Sequence, residues 1–157
     1  MQCEISDILK RLVNNPLAGV HFYKGIITNG HFVVNTSVIP DSIKRKLYVS
    51  RKNKIPVHVL KNVRNMLLVA GKKDLHKERV IEFVPSKVNG DVIYMDLGDR
   101  TIAYSLLYYE FFTLLEFSIF HDVVRNYGYI VKKGSSKVVG LLMPVMVPEV
   151  RNRDVQV

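Results

Sequence analysis

LAGVHFYKGIITNGHFVVN, Leu17–Asn35, is the stretch on which the reading of the fold turns. Two runs rich in Val, Ile and Phe meet at Asn29-Gly30, a pair whose tolerance of positive φ suits a two-residue hairpin turn. The stretch therefore predicts a β-hairpin. Upstream, Ser6 is placed to cap a helix whose apolar Ile8, Leu9, Leu12 and Val13 share one face. Lys10 and Arg11 lie on its other side, and Asn14-Asn15-Pro16 ends it. Downstream, Pro40-Asp41-Ser42 opens a basic segment in which Leu47, Tyr48 and Val49 read as a third strand. Pro56 suits the first turn of a second helix, where Val57, Leu60, Val63, Met66 and Leu67 recur at helical spacing. The opposite face of that helix carries His58, Lys61, Asn62, Arg64 and Asn65.

After a loop over Gly71–Glu78, strands are predicted at Val80–Val84, Asp91–Leu97 and Arg100–Leu107, with turns at Asn89-Gly90 and Gly98-Asp99. The aromatic run Tyr108–Tyr127 predicts a helix around Leu114–Val124. Tyr129–Lys133 and Val138–Met143 flank Gly134-Ser135-Ser136 and read as a closing hairpin. The resulting class is α+β, an antiparallel sheet with two amphipathic helices on one face. A chain of 157 residues has the size of one domain, expected over residues 1–150, with 151–157 as a frayed tail.

Composition narrows the function classes. With 48% hydrophobic and 24% charged residues, the chain has the balance of a folded protein and not of a disordered tail. Its apolar runs, such as Val138–Val147, are too short and too interrupted by Gly140 and Pro144 to span a bilayer, so no membrane partner is expected. The start, MQCEISDILKRLVNN, mixes charges and spaces its apolar residues, unlike a signal peptide. A cytoplasmic location is the expectation, in the host cytoplasm if the chain is viral. The lone Cys3 has no partner for an internal disulfide or a zinc set. Charge says more: of 23 Lys/Arg and 14 Asp/Glu, twelve and three lie between Asp41 and Arg79, while the rest of the chain is balanced. A basic segment on a neutral body points to a polyanion, most often nucleic acid, against the plainer reading of a solvated, lysine-rich surface.

No Gly-rich phosphate loop, nucleophile elbow or zinc spacing is present, and His21, His31, His58, His76 and His121 are scattered. The acids Glu82, Asp91, Asp96, Asp99 and Glu110 fall on or near the late strands. Carboxylates on neighbouring strands hold Mg²⁺ in some nucleases, so a small metal-dependent DNA nuclease using Glu82, Asp91, Asp96 and Glu110 is the alternative function. The plainer reading makes them the solvent side of alternating strands. Basic helices lead elsewhere, because a helix that buries one face and presents Lys and Arg on the other tracks a DNA backbone without reading bases.

Three stretches, in order, resemble the bacterial-type sliding clamp, the processivity subunit of replicative DNA polymerase. Gly19–Phe22 leading to Thr28-Asn29-Gly30-His31 looks like the clamp strand and its Thr-Asp-Gly-His turn. Gly98-Asp99-Arg100-Thr101-Ile102 running to Glu110-Phe111 is similar to its Gly-x-Arg-Thr-Ile strand, and Val139–Val145 resembles the terminal Leu-Met-Pro strand. The resemblance implies repeated βαβββ units in a ring around duplex DNA, with helices lining the ring and no catalytic residues. Lys10, Arg11, Lys61 and Arg64 would then face phosphates, with His31 near the duplex. Met143 and Pro144 match positions beside the groove that takes peptides from polymerase and clamp loader. The function expected is sequence-independent binding of double-stranded DNA by a homo-oligomeric replication or repair factor, with no metal or cofactor.

Overall fold

The computed structural model describes residues 2–14, 19–48 and 54–146, with side chains from Ile5 onward. Helix α1 (Gln2–Val13) leads into β1 (His21–Tyr23), β2 (Ile26–Thr28) and β3 (Phe32–Asn35). Two helices follow, α2 (Asp41–Tyr48) and α3 (Val57–Ala70). Then come β4 (Val80–Glu82), β5 (Lys87–Asn89), β6 (Val92–Asp96) and β7 (Thr101–Ser105). Helix α4 (Leu106–Leu114) and strands β8 (Phe117–Asp122), β9 (Gly128–Lys132) and β10 (Val138–Leu142) close the described chain. The fold is α+β with antiparallel sheets: seven strands in the order β1-β2-β3-β10-β9-β8-β4, and a separate meander β5-β6-β7. The βαβββ units expected from the clamp resemblance are not how it is assembled, because β4 joins the large sheet beside β8 while β5–β7 stand apart.

The opening stretch forms a meander of three strands. Its two-residue turn is Lys24-Gly25, both at positive φ (40° and 86°), which splits the first apolar run into β1 and β2. Asn29-Gly30 also reverses the chain, but within a four-residue loop between the paired Thr28 and Val33. The Asn29 side chain holds that loop, its Oδ1 accepting from the N–H groups of His31 (2.9 Å) and Phe32 (3.0 Å).

Three other expectations change. Helix α1 begins at Gln2, so Ser6 is an interior residue and not the cap. Leu47 and Tyr48, expected in a strand with Val49, instead end the helix Asp41–Tyr48, because Ile43 and Leu47 lie one turn apart and both are buried. Asp41 in the first turn and Arg45 and Lys46 in the last also complement the helix dipole. Val49 lies outside the described residues. The helix expected around Leu114–Val124 is displaced towards the N-terminus: Glu116 at φ 67° ends α4, and Phe117–Asp122 then alternates as a strand. Lys87–Asn89 is a strand that the sequence did not announce.

Alternation along the large sheet gives it two apolar faces. Ile27, Val34, Ile130, Val139 and Leu142 join α1, α2, α4 and the small sheet in one core, where Phe111, Phe112 and Tyr104 are fully buried. Ile26, Val33, Tyr129, Val131, Val138 and Leu141 face the other way, against Leu67 and Ala70 of α3. A register shift between Val138 and Gly140 makes a β-bulge in β10. A Cβ at Gly140 would sit 2.8 Å from the Val33 carbonyl oxygen, so the position takes glycine. The two amphipathic helices expected on one face are therefore divided: α1 lies on one side of the sheet with α2 and α4, and α3 lies on the other.

Candidate nucleic-acid interface

α3 is built to show a polar side. Leu60, Leu67 and Ala70 are buried, while His58, Lys61, Asn62 and Asn65 are exposed and Arg64 is half-buried. The sequence of the helix, VHVLKNVRNMLLVA, contains no acid. Among the described residues no carboxylate lies within ion-pair distance of Lys61 or Arg64. Arg64 is oriented by its Nε–H, which donates to the Lys24 carbonyl oxygen at 2.9 Å. That contact brings the Lys24-Gly25 turn against one flank of the helix. On the other flank, Arg125 and Tyr127 of the β8–β9 turn line a pocket with Asn62 and Asn65. A cationic band thus crosses the α3 face from Lys24 through Arg64 and Lys61 to Arg125.

The β8–β9 turn is fixed from beneath by Asp122, which is 5% exposed. Its Oδ1 accepts from the N–H groups of Val124 (2.7 Å) and Arg125 (2.8 Å), and the Tyr129 hydroxyl donates to Oδ2. Burial alone would raise the Asp122 pKa, but these hydrogen bonds hold it below the usual carboxylate value. Hydrogen bonding to Tyr127 stabilises the charged Arg125 guanidinium further and raises its pKa.

The remaining sequence candidates are scattered. Lys10 and Arg11 are exposed on α1, on the opposite side of the sheet from α3, and Arg11 lies 4.0 Å from Asp91. A DNA-binding candidate is thus paired with a nuclease candidate, and the expected common surface of Lys10, Arg11, Lys61 and Arg64 is not formed. His31 is exposed in the β2–β3 loop, its ring stacked at 6.0 Å on Tyr108 of α4. Met143 follows β10, its N–H donating to the His31 carbonyl oxygen at 2.9 Å. Its side chain joins Val63, Met66 and Leu141 around an apolar pocket of about 150 Å³. Pro144 is half-buried and does not line that pocket.

The nuclease carboxylates do not converge. Glu82 lies on β4 in the large sheet and Glu110 on α4. Asp91 lies in the turn just before β6 and Asp96 at that strand's far end, about 17 Å apart at about 3.4 Å per residue. Among the described residues no group of three or more His, Cys, Asp or Glu is placed to hold a metal ion. Asp96 instead accepts from the Gly98 N–H at 2.9 Å and shapes the β6–β7 turn.

Lys24 and Arg125, which join this candidate surface, were not among the sequence candidates. Each sits in a turn recognisable from its Gly or Asn, but only the tertiary fold sets both turns against α3. Compared with known families, curated proteins and solved structures, the chain matches no family model, no curated protein and no solved structure.

Proposed function

We propose that the chain binds duplex DNA without regard to sequence through the outer face of α3, and acts as an accessory factor in replication or repair. One observation carries this reading: the acid-free helix with Lys61 exposed and Arg64 half-buried on it, extended by Lys24 and Arg125 on its flanks. Phosphates need spaced cations with few competing carboxylates. Among the described residues Lys61 and Arg64 have no carboxylate within ion-pair distance. The Asp122 carboxylate near Arg125 is taken up by the Tyr129 hydroxyl and the N–H groups of Val124 and Arg125. The band's cations come from one helix and two turns held by hydrogen bonds, so the backbone that carries them needs no ordering on contact. Base-edge readout is not required of it.

In the resemblance to the sliding clamp, the helix after Ile55-Pro56 faces DNA, and α3 occupies that position in the sequence. With α1 on the opposite side of the sheet, each chain offers one such helix to a duplex. A grip around DNA would then need several copies, in keeping with a homo-oligomer.

The test is a salt titration of DNA binding. Four phosphate contacts predict a slope of about −3.6 in log K against log salt, the same for duplexes of unrelated sequence. Lys61→Ala with Arg64→Ala should weaken binding about tenfold and flatten the slope by about two contacts. Unchanged affinity and slope in that variant would exclude α3 as the binding face.

A further inference from the structure

The pocket between α3 and the β8–β9 turn has a composition that duplex phosphates do not call for. It is an open groove of about 460 Å³ walled by Met66, Val69 and Tyr127, with Asn62, Asn65 and Arg125 at its polar side. Met66 and Val69 are 42% and 55% exposed at this pocket, on a helix whose Val63, Leu67 and Ala70 pack against the sheet and whose Val57 and Leu68 are also exposed. A backbone-binding surface gains nothing from uncovered apolar side chains beside a tyrosine ring. An unpaired nucleobase does: its faces are apolar and stack on aromatic rings, and its edges carry donors and acceptors that are occupied by pairing in a duplex.

We propose that this pocket seats an unpaired nucleotide, so that the preferred ligand is DNA with a single-stranded segment adjoining the duplex; the inference rests on α3 being the DNA-binding face. Met66, Val69 and Tyr127 cover the base. Asn62 and Asn65, three residues apart on one helical face, turn carboxamides towards its edge, and each carboxamide offers both a donor and an acceptor. Two such groups accommodate any of the four bases, in keeping with sequence-independent binding. Arg125 takes the phosphate of the same nucleotide. The pocket is preformed on this side, because Tyr127 packs edge-on against Tyr129 at 5.3 Å and Asp122 fixes the backbone of Val124 and Arg125. An acidic peptide would also answer the positive charge of Arg125. The paired carboxamides favour the nucleotide, whose edge mixes donors and acceptors as they do.

The experiment uses the full chain and two DNA probes, a blunt duplex and the same duplex with a single-stranded extension carrying 2-aminopurine at the first unpaired position. The extended probe should bind about tenfold more tightly than the blunt one, with quenching of the 2-aminopurine on binding. Asn62→Ala with Asn65→Ala, or Val69→Ser alone, alters exposed side chains and should bring the ratio to within about twofold, through a greater loss of affinity for the extended probe than for the blunt duplex. Lys61→Ala with Arg64→Ala should weaken both probes in equal proportion and preserve the ratio. Equal affinity of the wild-type chain for both probes, with no change in fluorescence, would overturn the nucleotide pocket and leave duplex binding standing. Absence of binding to either probe at low salt would overturn both.

Discussion

One face of the large sheet is closed and the other is open. On the closed side α1, α2, α4 and the small sheet bury Leu12, Leu47, Tyr104, Phe111 and Phe112 almost completely. On the open side α3 lies over the strands, with Leu75 packed beside it, and leaves Met66, Leu68 and Val69 between 42% and 55% exposed beside its cations. The large buried aromatics are concentrated on the first side, and the proposed binding cations are displayed on the second. Substitutions on the two sides should therefore have separable effects.

The largest effect is expected in the closed core. Phe112 packs its ring against Phe32 (5.1 Å), Phe111 (5.0 Å) and Phe117 (6.1 Å), joining α4 to two strands of the large sheet. Phe112→Ala should cost about 3–5 kcal/mol in urea denaturation. A loss below about 1 kcal/mol would remove the asymmetry between the faces.

A smaller effect comes from His121, which is 1% exposed at the seam between the two sheets. The Tyr104 hydroxyl donates to Nδ1 at 2.5 Å, and Nε2–H donates to Asn126 Oδ1 at 3.3 Å, which satisfies the neutral ring. Burial lowers its pKa from the usual 6.5, and Arg100 pushes the same way, while Asn126 and Asp122 oppose them. Because the folded pKa lies below the unfolded one, the unfolded state binds more protons between the two values. Stability from this group is therefore full above about pH 6.5 and falls as the pH drops below it. Urea midpoints measured from pH 7.5 downward should fall more steeply for the wild type than for His121→Gln. Equal slopes would show that this histidine does not set the acid limb.

The smallest effect is expected on α1. Lys10→Ala with Arg11→Ala removes two exposed cations on the side away from α3, and one of them is only loosely paired with Asp91. Stability should change by less than about 0.5 kcal/mol and DNA affinity by less than about twofold. A tenfold loss of affinity would transfer the binding face to the closed side.

The α+β class was readable because strand and turn chemistry is local. Asn29-Gly30, Asn89-Gly90, Gly98-Asp99 and the Gly134 loop all reverse the chain in the structure. The α3 stripe was readable for the same reason. Residues 41–48 were misread because a short helix with two buried positions leaves little periodic signal, and Leu47-Tyr48-Val49 alone suits a strand. The α4 boundary was misread because that helix is apolar except at Glu110 and Thr113, so its period is hidden. Which face each helix covers was not readable at all. The alternation in Ile26-Ile27 and Val33-Val34 supplies two apolar faces without saying which helix takes which, and the pairing of Lys10 and Arg11 with Lys61 and Arg64 failed there. Lys24 and Arg125 stayed hidden because a turn residue joins an interface only through the packing of its neighbours.

The most direct measurement of the central claim is an amide chemical-shift titration of the full chain with a short duplex at low salt. Shifts confined to α3, the Lys24-Gly25 turn and residues 123–127, with α1 and α2 unmoved, are the predicted result. Shifts concentrated on α1 and α2 with α3 unmoved would contradict it.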